Sequence, residues 1–331
     1  MRAIVIKQYG GPDVLEIQER PIPTPKPGHV LIEVKAFGLN HAEIYFRKGV
    51  WGDVSEISGI ECVGLVKADA DRRFPLGQKV VALVGGMGRS FSGSYAEYTL
   101  VPTSNVASVE TNLPWEDLAA IPESYATAWT CLHNNLALIA GQTVLIRGAT
   151  SALGQAAVNI AAHLGACVIA TTRSAQRAAG LGMLGAKLVL LESTELHGRV
   201  RERHPTGIDA VLDLVGNTTV LDSLAMLRRD GRVCLAGFLG GGGPIANLEP
   251  VFQMPSGRHL SVLATALVTG GAEYPLSDIP FQTMVDRVAD GTYKAKPAKV
   301  FNFQDIREAH RLMESGQANG KIVIRVSPCA R

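Results

Sequence analysis

The stretch Gly148-Ala-Thr-Ser-Ala-Leu-Gly154 has the residue types and spacing to bind a pyrophosphate. Small side chains let backbone N–H groups approach an anion, and a helix starting within the stretch adds the positive end of its dipole. The run Thr143–Arg147 before it is short, apolar and β-branched, as a buried strand requires. Gln155–Leu164 carries apolar residues at helical spacing, Gly165-Ala166 ends that helix, and Cys167–Thr172 reads as a second buried strand. Strand, glycine turn, helix and strand form a βαβ unit with a right-handed crossover. Ser151 stands where the middle glycine of a dinucleotide fingerprint falls, so the flanking strands and helix carry the assignment, not the glycine spacing alone.

An NAD-binding unit ends its second strand in Asp or Glu, which accepts the ribose 2′-hydroxyl. Here the chain reads Ala170-Thr171-Thr172-Arg173-Ser174, with Arg177 following. The carboxylate is missing, and two guanidinium groups stand where a 2′-phosphate would sit. Arginine's planar fork suits phosphate, so NADPH is the expected cofactor.

The elements that must position this turn fill a chain of 331 residues, enough for two domains. Hydrophobic residues make up 47% and charged residues 19%, which excludes a disordered chain. A net charge of +2 argues against nucleic acid or an anionic membrane as the main partner. No apolar run approaches a membrane span, and Met1-Arg-Ala-Ile-Val-Ile starts directly as a strand without a signal-peptide layout. Five scattered cysteines (Cys62, Cys131, Cys167, Cys234, Cys329) suggest reduced, buried thiols in a cytoplasmic protein.

Up to about Leu113 the texture is all-β and barrel-like, with strands expected at Ala3–Lys7, Leu15–Glu19, Val30–Ala36, Gly64–Ala68, Lys79–Leu83 and Tyr95–Val101. Pro21, Pro23, Pro25 and Pro27 make an extended connector. One helix, His41–Lys48, has Asn40 as its expected N-cap. Helices at Pro114–Ala120 and Ser124–Asn134 lead into the glycine turn. After it come a helix at Ala175–Leu184, a strand at Leu188–Leu191, a helix at Glu195–Arg203 and a strand at Ile208–Leu214. A helix at Thr218–Leu227 and strands at Gly231–Phe238 and Leu260–Val268 complete a doubly wound parallel sheet of about six strands. Helices at Pro280–Ala289 and Phe303–Glu314 and a strand at Lys321–Val326 return to the first domain. The expected division is 1–122 and 270–331 for a catalytic domain, with 123–269 for the nucleotide-binding domain.

Further motifs bear on the family. Gly38-Leu-Asn-His-Ala-Glu-Ile-Tyr-Phe-Arg-Lys-Gly49, Ser58-Gly-Ile-Glu-Cys-Val-Gly64, Gly93-Ser-Tyr-Ala-Glu-Tyr98 and Gly185-Ala186 belong to the set. Val211-Leu-Asp-Leu-Val-Gly216, Gly231-Arg-Val-Cys-Leu-Ala-Gly237 and Gly320-Lys-Ile-Val-Ile324 extend it to the end of the chain. Over essentially its whole length the sequence resembles the zinc-independent quinone oxidoreductases, the zeta-crystallin-like branch of the medium-chain dehydrogenase/reductases. The resemblance implies an α/β protein, with a Rossmann doubly wound sheet and a GroES-like β-barrel catalytic domain. It implies NADPH, and a homodimer joined along the Rossmann sheet edge near Leu260–Val268. It also implies cofactor contacts from Thr127, Gly148, Thr150, Ser151, Ala152, Leu153, Gly154, Thr172, Arg173 and Arg177, and from Val215, Gly216, Gly237, Phe238, Leu239 and Lys321.

Zinc-dependent relatives hold their catalytic metal through Cys, His and Cys with a nearby Glu. The matching positions here are Asn40, Ile60 and Glu123, with Glu61 retained, and no cysteine lies between Cys62 and Cys131 to build a structural zinc lobe. Such a set cannot complete a tetrahedral N/S site, so no metal is expected. By the same resemblance Asn40 and Tyr45 face nicotinamide and substrate, Tyr45 polarising an acceptor oxygen and Asn40 orienting it. Trp51, Met87 and Phe252 are either pocket walls or plain core. One departure is Glu192, where relatives carry a neutral residue; pointing inward it would repel a 2′-phosphate, and Arg173 would compensate.

The expected activity is zinc-independent, NADPH-dependent reduction of quinones or α,β-unsaturated carbonyl compounds. An enoyl-thioester reductase and a mainly non-catalytic NADPH-binding protein are the alternatives.

Overall fold

The computed structural model describes residues 1–245 and 247–327, and the chain divides into two compact units. Unit one comprises Met1–Ala126 and Thr265–Arg331, and unit two Thr127–Ala264. The junctions expected from the sequence were 122/123 and 269/270. Cys329 lies outside the described residues.

In unit one, β1 (Arg2–Ile6) and β2 (Leu15–Glu19) pair antiparallel. β3 (His29–Gly38) then leads into α1 (His41–Arg47), followed by β4 (Glu61–Asp69) and β5 (Lys79–Leu83). β6 (Tyr98–Pro102), β7 (Val106–Ser108) and α2 (Trp115–Leu118) follow. The proline connector stays out of every strand, as its missing N–H groups require. α3 (Pro122–Thr130) runs on into a π-helical turn, Cys131–Asn135, where one uninterrupted helix was expected.

Unit two opens with β8 (Thr143–Arg147), α4 (Ala152–His163), β9 (Cys167–Thr172) and α5 (Ala178–Met183). It continues with β10 (Leu188–Leu191), α6 (Leu196–Arg203), β11 (Ile208–Asp213) and α7 (Val220–Met226). β12 (Leu227–Leu235), α8 (Pro250–Gln253) and β13 (His259–Val262) complete it. All six strands are parallel in the order β10-β9-β8-β11-β12-β13, so the strand order reverses between β8 and β11. That reversal is where open α/β sheets bind ligands. Val144, Leu145, Ile146, Val168, Val211 and Val233 are buried because helices cover both faces.

Three expectations are corrected here. The stretch Leu260–Val268 is not one strand: β13 ends at Val262 and α9 (Thr265–Val268) is a single helical turn. An apolar run of this length does not by itself distinguish strand from helix. β12 starts at Leu227, ahead of the expected Gly231, with Asp230 at φ 63 in a bulged segment. Cys167 is exposed at the start of β9, whereas Cys62, Cys131 and Cys234 are buried.

The returning chain supplies α10 (Phe281–Ala289), β14 (Lys299–Asn302), α11 (Ile306–Glu314) and β15 (Ile322–Arg325). The resulting seven-stranded sheet runs β14-β15-β3-β4-β5-β7, with β6 also on β3. Beneath it lies a core including Ile4, Val34, Phe37 and Phe303. Met87, one of the possible pocket walls, belongs to that core. β15 is antiparallel to β3, with Val323 opposite Gly38 and the Leu39 amide donating to Ile322 O at 2.9 Å. This register carries Lys321 alongside Asn40.

Candidate functional site

In unit two the glycine turn joins β8 to α4. Gly148 has φ +79, and a Cβ there would come within 2.9 Å of Leu239 Cδ1. At Gly154 a Cβ would meet Ala149 Cα at 2.6 Å, so the helix packs directly on the turn. Ser151 is the N-cap of α4: its Oγ accepts from the Gly154 amide at 3.1 Å and donates to Gly148 O at 2.9 Å. With φ −70, this position has no conformational need of glycine, and the hydroxyl caps the helix instead. Ala152 and Leu153, in the first turn, present N–H groups that have no intrahelical acceptor.

Two further loops meet the turn. The Leu239 amide donates to Leu214 O at 3.1 Å and the Gly240 amide to Val215 O at 2.7 Å. A Cβ on Gly216 would sit 2.9 Å from Gly237 O, and one on Gly148 would also approach Val215. Gly148, Val215, Gly216, Gly237 and Leu239 are therefore brought together, with Phe238 and Leu239 partly exposed. Thr172 closes the end of β9, its Oγ1 accepting from the Ser174 amide at 3.1 Å. Arg173 is exposed beyond it, and its guanidinium has no partner among the described residues. Thr150 and Arg177 are half-buried, and Thr127 is buried in α3. A tight glycine and a helix N-terminus, with an unpaired arginine at the second strand end, together fit a dinucleotide.

A buried network supports these loops. Arg147, the last residue of β8, is fully buried. Its Nε and Nη2 both donate to Glu192 Oε1, at 2.8 and 2.5 Å. Nη1 donates to Asp222 Oδ2 at 2.7 Å and Ser223 Oγ at 3.1 Å, and Nη2 also reaches Ser193 O. Burial alone would depress this guanidinium, but the Glu192 hydrogen bonds and the Asp222 and Asp213 charges raise it above its ordinary value. Ser223 Oγ donates on to Asp213 Oδ2 at 2.7 Å, and Asp213 Oδ1 accepts the amides of Val215 and Gly216 at 2.9 and 3.0 Å. Asp213 thus fixes the β11 loop. Sequence reasoning missed Arg147 and Asp213, although a charge ending each apolar strand was a readable signal.

Unit one holds a second polar cluster, at the start of α1. Asn40 caps α1 in a capping box with Glu43, as expected. The Asn40 Oδ1 accepts from Lys321 Nζ at 2.6 Å, and its Nδ2 donates to Glu61 Oε1 at 2.9 Å. Lys321 Nζ also pairs with Glu61 Oε1, and Glu61 Oε2 accepts the Glu123 amide at 2.8 Å. Burial would lower the Lys321 ammonium, yet Glu61 and Glu123 hold it above its ordinary value. Glu43 is fully buried, and burial pushes its carboxyl up to about 8 against the opposing Ile60 and Asn40 amides. Lys321, expected among the cofactor contacts, is placed in this cluster.

Asn40 and Tyr45 have different surroundings. The Asn40 amide turns to Glu61 and Lys321, whereas Tyr45 is half-buried and stacks on Trp51 at 4.8 Å and 25°. Partial burial raises the Tyr45 hydroxyl pKa. Phe46 meets the same Trp51 edge-on at 5.8 Å. His41 is exposed at the helix start, and Phe252 in unit two is 86% exposed.

The donor set does not fit zinc. Ile60 has no ligand atom, the Asn40 amide is engaged, and an ammonium occupies the Glu61 carboxylate. Among the described residues no cluster of three or more His, Cys, Asp or Glu is arranged for a metal ion.

Comparison with known proteins agrees with this architecture. Residues 26–111 match the alcohol dehydrogenase GroES-like domain, and residues 184–324 match the zinc-binding dehydrogenase family. A quinone oxidoreductase of Sus scrofa is 28% identical, over 98% of this chain and 97% of its own. A 2-haloacrylate reductase of a Burkholderia species is 29% identical, over 97% and 98%. A mycobacterial protein solved in complex with NADPH superposes with a TM-score of 0.84 at 28% identity, covering 98% of this chain and 99% of that one.

Proposed function

We propose that the chain is a member of the zeta-crystallin-like branch of the medium-chain dehydrogenase/reductases and acts as an NADPH-dependent, zinc-independent reductase of quinones or α,β-unsaturated carbonyl compounds. The observation that carries this reading is the convergence of the β8, β11 and β12 loops on the Ser151-capped turn, with an unpaired Arg173 in place of a carboxylate. NADPH, when bound, supplies the hydride. The backbone of Gly148–Gly154 and the first turn of α4 hold the pyrophosphate, and Arg173 with Arg177 holds the 2′-phosphate. Val215, Gly216, Gly237 and Leu239 shape the remaining floor.

On unit one, Tyr45 donates its hydroxyl to the acceptor oxygen, where negative charge develops. Stacking on Trp51 fixes the ring that presents this hydroxyl. Asn40, tied to Glu61 and Lys321, anchors the helix that carries Tyr45. Without a metal Lewis acid, the acceptor must delocalise much of the developing charge itself, which selects conjugated carbonyls and quinones. The relatives' names support the same two classes.

The proposal includes a homodimer and a cytoplasmic location. Among the described residues β13 ends the six-stranded sheet as an edge strand, Val262 is 59% exposed, and Val251 and Phe252 are both 86% exposed. No described helix is long and apolar enough to cross a membrane. A panel of quinones, enones and enoyl thioesters, followed by NADPH oxidation, tests the activity. Quinones and enones should turn over; thioester turnover alone would indicate an enoyl-thioester reductase, and none at all a binding protein.

A further inference from the structure

We infer that Arg147 is a positioning residue for cofactor selection: it draws the Glu192 carboxylate into a buried ion pair and so keeps that charge away from the 2′-phosphate position. The inference rests on the cofactor reading above and extends it to residues that make no contact in that reading. Glu192 follows β10 directly, and its amide donates to Thr172 O at 2.9 Å, in register with Leu191 opposite Thr172. The backbone of Glu192 therefore runs beside Thr172 and its neighbour Arg173, which with Arg177 is assigned to the 2′-phosphate. A free carboxylate here would repel phosphate and offer Arg173 a competing partner.

The side chain turns the other way. Glu192 is only 16% exposed, and its Oε1 takes two donors from Arg147. Oε2 is buried with no hydrogen-bond partner among the described residues, so Arg147 alone holds this carboxylate. Arg147 is in turn fixed from behind by Asp222, Ser223 and the Thr219 and Ser193 carbonyls. A lysine has no planar fork and would not hold Glu192 while also reaching α7. The acid is thereby masked, and Arg173 is left unpaired for phosphate.

The test compares NADPH and NADH dissociation constants by fluorescence titration in wild type, Arg147→Met, Glu192→Gln and the double variant, with circular dichroism to verify folding. The NADPH-to-NADH affinity ratio should fall at least roughly tenfold in Arg147→Met and return when Glu192→Gln is added. Glu192→Gln alone should leave the ratio within about twofold of wild type, since its charge is already masked. Should Arg147→Met fail to fold, Arg147→Lys with and without Glu192→Gln gives the same readout with a smaller fall. A folded Arg147 variant with an unchanged ratio overturns the inference, as does a parallel loss of both cofactors that Glu192→Gln does not relieve. A ratio that rises severalfold in Glu192→Gln alone also overturns it. The wild-type ratio separately tests the cofactor reading: a preference for NADH defeats that reading, while the shift between variants still decides the masking.

Discussion

Lys321 in unit one and Arg147 in unit two are both buried among acidic side chains, but they organise their surroundings differently. The Lys321 ammonium is a point charge shared between Glu61 and Asn40, and nearby Glu43 is pushed up to about 8. Arg147 spreads its fork over Glu192, Asp222, Ser223 and two backbone carbonyls, and its charge persists at every accessible pH. The lysine cluster, beside the helix bearing Tyr45, therefore responds to pH and to the loss of one partner. The arginine network is a fixed scaffold under the nucleotide loops. A binding floor needs rigidity, whereas groups near a reacting oxygen need protons that can be tuned.

The comparison is broken most severely at Lys321. Lys321→Met leaves Glu61 buried without a counter-charge and should cost ~3–5 kcal/mol in denaturant unfolding. Adding Glu61→Gln should recover part of that loss, and a cost below ~1 kcal/mol would show that the pair behaves like an exposed one.

Next in size is Tyr45→Phe. Loss of a preorganised donor to the developing oxyanion should lower enone turnover by up to ~3–4 kcal/mol in barrier, with NADPH affinity nearly unchanged. Quinones, which carry more of their own driving force, should lose less. Equal and small effects on both acceptors would reduce Tyr45 to a partner for Trp51.

Arg173→Ala sharpens the description of unit two. Removing a charge-assisted phosphate contact should weaken NADPH by ~1.5–3 kcal/mol while sparing NADH. Parallel losses for both cofactors would remove Arg173 from phosphate recognition.

The remaining expectation is a pH dependence of stability, and it belongs to unit one. Burial raises the folded Glu43 from 4.5 to about 8, so its contribution is full below 4.5 and is lost as pH rises through 8. His310 behaves oppositely: burial and Arg47 lower it from 6.5 to about 3, so its contribution is present above 6.5 and is lost as pH falls toward 3. Unfolding midpoints should decline on both sides of a plateau between 4.5 and 6.5. Glu43→Gln should flatten the alkaline side, and an unaltered profile in that variant would assign the decline to other groups.

Much of unit two was legible because periodicity and glycine spacing are local signals. The order of strands, helices and the turn follows from apolar runs such as Thr143–Arg147 and Ile208–Asp213. The capping role of Ser151 and the masking of Glu192 were not legible, since both depend on which atoms meet across the fold. Arg147 looked like the end of an apolar strand, and only its distances to Glu192 and Asp222 reveal its role. The partnership of Asn40 with Lys321 spans 281 positions and arises from the β15–β3 register, which no local pattern encodes. Likewise the stretch after Val262 alternated too little to separate a strand from the single turn Thr265–Val268.

The central claim is that unit one assists hydride transfer through its own side chains, without a metal. Its most direct test is NADPH-dependent turnover of a quinone and an enone by protein treated with a strong chelator and analysed for zinc. Full activity in zinc-free protein is the expected result. Activity lost on chelation and restored in proportion to added zinc would contradict the account.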